Sequence, residues 1–187
     1  MKERQPATRV LVTGSREWTD RGRLERELLD ELVTEAHEWG VHIRCGSDVA
    51  AYLRHQERKH WIHFILGDCK TGADFMAILW CREHQISHEV HEMIGLSTYD
   101  ARRFTDAAHA RNQRMVDAKP DRYVAFWDGH KPPSGTLDTM IRCTVAGVPG
   151  RTVPMVVQGR QLKLLDLPRL TNFESPRRGP NGDEDSG

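Results

Sequence analysis

Short apolar runs alternate with stretches of helical periodicity along most of the chain, and this alternation is the strongest constraint on the fold. Segments with the composition of strands lie at residues 9–13, 63–66, 87–91, 122–126 and 152–157. Between them apolar residues recur every three or four positions, as on one face of a helix. The alternation predicts an α/β domain with a mainly parallel sheet of about five strands and right-handed crossovers.

The domain is expected to span residues 9–160, after an N-terminal extension at 1–8. Residues 41–61 are expected to form an insertion at its edge, and 161–187 a polar C-terminal tail that is largely disordered from about residue 175. We expect the helix before strand 122–126 to begin at Thr105 or Asp106, after a long connection without periodicity. Pro154 predicts that the last strand is an edge strand or that the proline stands at the strand's beginning.

The composition limits the partners. The 27 basic and 27 acidic side chains cancel, so the net charge does not indicate nucleic acid or an acidic membrane. No apolar run approaches the roughly 20 residues that span a bilayer, and the N-terminus lacks the apolar segment of a signal peptide. We therefore expect a soluble, cytoplasmic protein without membrane contact. The four cysteines show no CxxC spacing, which favours reduced thiols.

Glycine and polar residues concentrate in the loops that follow strands, whereas the loops that follow helices have the composition of short turns. In parallel α/β sheets, ligands bind at the carboxyl ends of the strands, where the first kind of loop lies. Candidate ligand-binding residues are therefore Gly14, Ser15 and Arg16 after the first strand, and Gly67, Asp68, Thr71, Gly72 and Asp74 after the second.

The stretch from Trp127 to Thr139 predicts a strand end, a loop and a helix that starts at Ser134, Gly135 and Thr136. Free N–H groups and the positive end of the helix dipole make such a start a site for phosphate. In the loop, Trp127 can stack on a base and Asp128 can accept a hydroxyl or amino hydrogen, beside Gly129. A tryptophan at the rim of the core is the alternative. Arg111 and Asn112 complete the candidate ligand contacts.

Several common motifs are absent. The first glycine loop is not GxGxxG, and Gly67 to Gly72 has the glycine spacing of a Walker loop without its lysine. Cys81 with His84 and His88 with His91 are spaced by three, but no CxxC or HExxH pattern occurs, so no metal is predicted. There is no GxSxG elbow for an acyl-transfer serine. We predict no cofactor.

Taken together, the motifs resemble those of the SLOG superfamily, a Rossmann-like group that includes the lonely-guy phosphoribohydrolases and DNA-processing protein A. The chain is most similar to the YspA-like branch, over residues 9–157. The resemblance implies a Rossmann-like three-layer domain that binds a nucleotide or nucleotide-derived ligand, often as a dimer. It rests on the segments Val12–Arg16, Gly67–Asp74, Arg111–Met115, Phe126–Gly129 and Ser134–Thr136.

The same resemblance offers a test of enzyme activity. Lonely-guy enzymes cleave an N-glycosidic bond with the arginine of an RKxxM motif and the glutamate of a PGGxGTxxE motif. Arg111 occupies the arginine position, but Thr139 stands where the glutamate would be, and threonine cannot supply a carboxylate to a developing ribosyl cation. Asp138 is one residue away, so Arg111 and Asp138 remain the candidate catalytic pair.

We therefore predict a sensor or sequestering module that holds an ADP-ribose-like nucleotide ligand with its phosphate at helix N-termini, and we lean against an enzyme. The first alternative is an N-glycosidase or phosphoribohydrolase of nucleoside monophosphates, using Asp138, Asp68 or Asp74. The second is a single-stranded DNA-binding protein, which the neutral charge disfavours because such binding needs a basic track. A homodimer is the expected oligomer.

Overall fold

The computed structural model describes residues 7–38, 61–94, 101–127 and 132–154. Within these ranges strands and helices alternate, as the sequence predicts. The strands are β1 (Thr8–Gly14), β2 (Ile62–Gly67), β3 (His88–His91), β4 (Arg122–Trp127) and β5 (Gly150–Pro154). The helices are α1 (Arg21–Glu38), α2 (Gly72–Glu83), α3 (Ala101–Asp117) and α4 (Ser134–Val145).

The five strands form one sheet in the order β3-β2-β1-β4-β5, and every neighbouring pair is parallel. β1 lies at the centre, so the chain first builds towards β3 and then crosses back to place β4 on the other side of β1. This confirms the predicted Rossmann-like α/β domain. β5 is an edge strand with Pro154 at its end, which confirms the edge position predicted from the proline.

Helices cover both faces of the sheet, because alternate residues of each strand point to opposite sides. Val10 and Val12 of β1 belong to a core with Leu24 and Leu28 of α1 and with residues of α2. Leu11 points the other way, into a second core with residues of α3 and α4. The result is the expected three-layer arrangement.

Three helices end in the same manner. The residue after the last turn has a positive φ in each case, at Gln85 (53°), Lys119 (56°) and Gly147 (73°). In each case the N–H of this left-handed residue donates to a carbonyl of the last turn. After Gln85 and Gly147 the next N–H, of Ile86 and Val148, does the same, whereas Pro120 follows Lys119 and has no N–H to donate. The connections from helix to strand are therefore short turns, in agreement with their composition.

The beginning of α3 differs from the prediction. The expected start at Thr105 or Asp106 is wrong, because α3 already includes both residues and begins at Ala101. Phe104, Thr105 and Asp106 are exposed, so this first part of the helix has no buried face to create a periodic pattern. β5 likewise begins at Gly150, two residues before the predicted strand.

Charged side chains fasten α1 to the amino-terminal end of the sheet. The guanidinium of Arg122 lies 2.6 Å from Glu31 and 3.2 Å from Glu35, and both carboxylates are almost fully buried. Arg151 of β5 also pairs with Glu31, at 2.8 Å, and with Glu27. Because Arg122 starts β4, this network lies at the end of the sheet opposite to the predicted ligand site.

Parts of the predicted organisation lie outside the described residues. These are the N-terminal extension up to residue 6, the expected insertion apart from Trp61, and the C-terminal tail. Among the helices that the structure describes, none combines the length and the apolar character needed to cross a membrane. The cysteines within the described residues are free thiols; they are Cys69, Cys81 and Cys143.

Candidate anion-binding cleft

A cleft of about 380 Å³ opens at the carboxyl end of the sheet. It lies between β1 and β4, neighbouring strands whose chains continue into helices on opposite faces, α1 and α4. This is the topological switch point at which open α/β sheets bind their ligands. The cleft is lined by Thr13, Gly14, Ser15, Arg16, Glu17, Cys69, Asp74, Phe104, Thr105, Ala108, His109, Arg111, Pro133, Ser134, Gly135 and Thr136.

The loop after β1 is held in place by its backbone. The Ser15 N–H donates to the Phe126 carbonyl of β4 at 2.7 Å, and the Ser15 carbonyl accepts from the Ala73 N–H of α2 at 3.1 Å. The Ser15 hydroxyl accepts a hydrogen bond from the Glu17 N–H at 3.1 Å. Its own proton can still be donated, so Ser15 presents a fixed hydroxyl donor to the cleft.

Two glycines allow this loop to approach α2. A Cβ atom on Gly14 would lie 2.5 Å from the Cβ of Ala73, and one on Gly72 would lie 2.1 Å from the Ser15 carbonyl oxygen. Gly72 also has φ +73°, which a side chain disfavours. Contacts within the chain therefore account for both glycines, and the start of α2 is closed off by the loop after β1.

The start of α4 is open by comparison. Pro133 occupies the N-cap and makes no side-chain hydrogen bond to the first turn, whose leading N–H groups have no partner within the helix. A Cβ atom on Gly135 would meet no atom within 4 Å. Since Ser134, Gly135 and Thr136 all line the cleft, the first turn of α4 faces it, and no atom of residues 7–38, 61–94, 101–127 and 132–154 stands where a Gly135 side chain would be.

Arg111 reaches the cleft from α3 and is only 6% exposed. Its guanidinium donates to Asp68 at 3.1 Å, to the Cys69 sulfur at 3.4 Å and to the Asn112 side-chain oxygen at 2.9 Å. Burial opposes its charge, but the contacts with Cys69, Asp74 and Asp68 raise the pKa of Arg111 above its ordinary value. Arg111 is therefore a positively charged side chain that hydrogen bonds hold in place at one wall of the cleft.

Asn112 connects Arg111 to α4. Its amide nitrogen donates to Asp138 at 2.9 Å and to the Gly135 carbonyl at 3.3 Å, and the residue is fully buried. Asp138 also accepts from Arg142 at 2.8 Å. Burial opposes the charge of Asp138, but the hydrogen bonds from Arg142 and Asn112 lower its pKa. The Asp138 carboxylate thus joins α3 to α4 and does not line the cleft.

Asp74, in the first turn of α2, forms the floor of the cleft and is 3% exposed. Its carboxylate accepts a long hydrogen bond of 3.3 Å from the Gly67 N–H. Burial raises the pKa of Asp74 from its ordinary value of 3.8 to about 6, although Arg111 and neighbouring backbone N–H groups act in the opposite direction. It is the most strongly buried acid of the cleft.

The outer rim combines charge and aromatic surface. The Arg16 guanidinium lies over the ring of Phe104, 5.4 Å from its centroid, a cation–π contact between the loop after β1 and the start of α3. Glu17 and His109 also line the rim and are exposed. The rim therefore brings both signs of charge to the entrance.

The structure brings some of the predicted site residues together at the cleft and leaves others away from it. Trp127 is 7% exposed and buried at the end of β4, with little of its ring open to a base. Asp128 and Gly129 lie outside the described residues. The predicted residues that line the cleft are Gly14, Ser15, Arg16, Asp74, Arg111, Ser134, Gly135 and Thr136, whereas Gly67, Asp68, Thr71, Gly72, Asn112, Trp127 and Asp138 do not line it.

Thr139, the residue at the glutamate position of the lonely-guy motif, is 1% exposed. Its hydroxyl donates to the Gly135 carbonyl one turn earlier, at 3.0 Å. It therefore serves the helix and does not face the cleft. Neither Thr139 nor its neighbour Asp138 brings a carboxylate to the site.

Sequence reasoning missed half of the lining residues. Thr13 was assigned to the strand, and Ala108 and His109 to the helix that was expected to start at Thr105 or Asp106. The other missed residues lay in loops that follow strands, but none of them was a glycine or a polar residue of a recognised motif. The missed residues are Thr13, Glu17, Cys69, Phe104, Thr105, Ala108, His109 and Pro133.

Among the residues that the structure describes, no group of three or more His, Cys, Asp or Glu side chains is arranged to hold a metal ion. Comparisons with protein-family models, with curated proteins and with solved structures find no match to this chain. The resemblance to the SLOG superfamily therefore stays a prediction.

Proposed function

We propose that this protein binds a nucleotide or nucleotide-derived ligand of the ADP-ribose type, and acts as a sensor or sequestering module. The observation that carries the proposal is the open first turn of α4 at the switch point of the sheet. A phosphate there would receive backbone N–H groups and the positive end of the helix dipole. The remaining cleft extends towards Arg16 and Phe104, which offer a cation and an aromatic ring to the rest of the ligand.

The phosphate is assigned to α4 alone, although the sequence suggested several helix starts. At α2 the Ala73 N–H already bonds Ser15, and the Asp74 carboxyl lies in the first turn. A second anion at that position would face this acid. The two helix starts that looked equivalent in the sequence therefore have different roles in this proposal.

Binding without cleavage is favoured by the surroundings of the two positions where the lonely-guy motif would require a carboxylate. Asp138 is engaged with Asn112 and Arg142, and Thr139 bonds its own helix. An N-glycosidase needs a carboxylate beside the sugar, and neither of these positions supplies one to the cleft.

The proposal is tested by calorimetry with AMP, ADP and ADP-ribose on the parent protein and on Gly135→Ala. The added methyl group meets nothing in the protein but takes up space beside the N–H groups of the first turn. We expect at least one ligand to bind the parent, and the variant to bind it at least about tenfold more weakly, which is about 1.4 kcal/mol.

Gly22→Ala is the matched control, because Gly22 is the second residue of α1 as Gly135 is of α4. Its Cβ would lie 3.8 Å from the nearest atom, an ordinary contact. Both variants should unfold at a temperature at or above that of the parent, since alanine is favoured over glycine in helices. Failure of all three ligands to bind, or equal loss of binding in both variants, would reject the proposal.

The expected homodimer is also proposed, with α4 as its contact. Leu137, Ile141 and Val145 are spaced by four residues, share one side of the helix and are 36%, 48% and 84% exposed. A twofold contact between two α4 helices can pair Ile141 with its own copy. Light scattering should show a dimer that Ile141→Asp dissociates, while Ile94→Asp, at another exposed position, does not. A monomeric parent at 100 μM, on the order of ordinary working concentrations, would contradict this.

A further inference from the structure

Asp74 has a combination of properties that the proposed binding function does not use. Its side chain is 97% buried yet lines the floor of the cleft. Its carboxylate accepts a long hydrogen bond of 3.3 Å from the Gly67 N–H, and the backbone N–H groups of Gly14 and of Asp74 itself also act to lower its pKa. An ionised carboxylate in such a position is poorly solvated, and a neutral acid would be favoured there.

The charged groups around Asp74 do not fully compensate it. Arg111 of α3 is the nearest cation, but its guanidinium also serves Asp68, Cys69 and the Asn112 oxygen. The loop after β1 contributes Arg16 and Glu17, α3 contributes the exposed His109, and the lining residues of α4 are uncharged. With Asp74 ionised, the two arginines of the lining are balanced by two acids. A proton on Asp74 makes the charge of the cleft and its nearest ion pairs more positive by one unit.

We propose that the cleft binds its anion together with one proton, and that Asp74 carries this proton in the complex. This inference rests on the proposed anion site. The proton comes from the solvent and binds a carboxylate oxygen of Asp74, and no covalent bond to the ligand is formed. A neutral Asp74 adds no repulsion to an incoming phosphate, and its O–H can donate to a ligand oxygen.

The free protein is poised for this uptake. Burial raises the pKa of Asp74 to about 6, so at neutral pH the acid is mostly ionised but close to its protonated form. If the protonated form is the one that binds, the apparent Kd follows its population. That population falls from about one half at pH 6 to about one hundredth at pH 8, so the Kd should rise about fiftyfold.

The test is calorimetry at pH 6 and pH 8 with ADP-ribose and with inorganic sulfate, probes whose phosphate diester or sulfate charge is constant in this range. At pH 8 the titration is repeated in buffers of different ionisation enthalpy, which counts the protons taken up. We expect close to one proton per bound anion. This count is made on the parent protein and does not depend on any variant.

Three variants assign the proton. Asp74→Asn should bind at pH 8 up to about a hundredfold more tightly than the parent and without proton uptake. His109→Gln and Glu17→Gln remove two other ionisable side chains that line the cleft, and both should keep the uptake. If Asp74→Asn does not fold, persistence of the uptake in both other variants supports Asp74, and its loss in either one overturns the assignment.

The two levels of the proposal fail in different ways. If neither probe binds at pH 6 or pH 8, the anion site itself is wrong and this inference falls with it. If ADP-ribose binds equally well at both pH values without taking up a proton, the binding function stands and the role of Asp74 is wrong. Uptake that survives in Asp74→Asn would also overturn it.

Discussion

Replacing Asp74 by asparagine should stabilise the ligand-free protein at neutral pH. Burial raises the pKa of Asp74 from 3.8 to about 6, so the folded state holds this proton more tightly than the unfolded chain does. Each pKa unit corresponds to about 1.4 kcal/mol. A shift of about two units therefore costs the parent protein about 3 kcal/mol of unfolding free energy once the acid is ionised in both states.

The sign of the pH dependence follows from the raised pKa. Below about pH 4 Asp74 is protonated in both states and contributes no penalty. The penalty grows as pH rises to about 6, where the folded protein loses its proton, and is constant above that. Asparagine keeps the shape and an acceptor oxygen but cannot ionise, so the variant should gain stability over the parent only above about pH 4.

Urea unfolding of both proteins at pH 4, 5, 6 and 8, followed by tryptophan fluorescence, measures this difference. Asp106→Asn, which removes an exposed carboxylate of α3, is the matched control for the general loss of an acid. We expect the advantage of Asp74→Asn to increase from near zero at pH 4 to about 3 kcal/mol at pH 8. A parent that is the more stable protein at pH 8 would refute the reasoning, since Arg111 and the backbone N–H groups would then outweigh burial.

Two further predictions concern the scaffold. Glu35→Ala should cost about 3–5 kcal/mol of unfolding free energy in urea, because it breaks a buried pair with Arg122. The control Arg21→Ala removes exposed pairs and should leave the urea midpoint nearly unchanged. Equal effects of the two substitutions would contradict this prediction. Gly72→Ala should lower the free energy of unfolding by at least about 3 kcal/mol, because the residue has a positive φ and its new methyl group would clash with the loop after β1. Gly147→Ala has the same φ but open space around the methyl group, so it should cost only about 1 kcal/mol. Equal melting temperatures of the two variants would show that the clash is relieved.

The layer architecture was predictable because each element carries its own periodic signal. β1 and β2 are apolar on both faces, as in a sheet covered on both sides, and Leu24 and Leu28 repeat at the spacing of a buried helix face. The alternation of such segments leaves few topologies once crossovers are right-handed. The start of α3 could not be found in this way, since a helix segment whose residues face solvent has no apolar period to detect.

The candidate site was only partly predictable, for a different physical reason. Glycines were interpreted as places where a ligand approaches the backbone, but Gly14 and Gly72 are required by the approach of one chain segment to another. The sequence cannot distinguish an approach of a ligand from an approach of another chain segment, because both require a residue without a Cβ atom. Among the predicted site glycines that the structure describes, only Gly135 has open space where a side chain would be.

The difference between the starts of α2 and α4 explains why one cleft can hold an anion and a buried acid together. At α2 the chain itself occupies the first turn, because the Ala73 N–H donates to the Ser15 carbonyl and the Asp74 carboxyl lies at the floor of the cleft. At α4 proline caps the helix without a side-chain hydrogen bond and glycine follows, so the first turn stays open. An anion at α4 then lies in the same cleft as an acid that gains from being neutral, and the two preferences reinforce each other. The proposed proton-linked binding depends on this asymmetry, because neither helix start alone combines an open first turn with a buried acid.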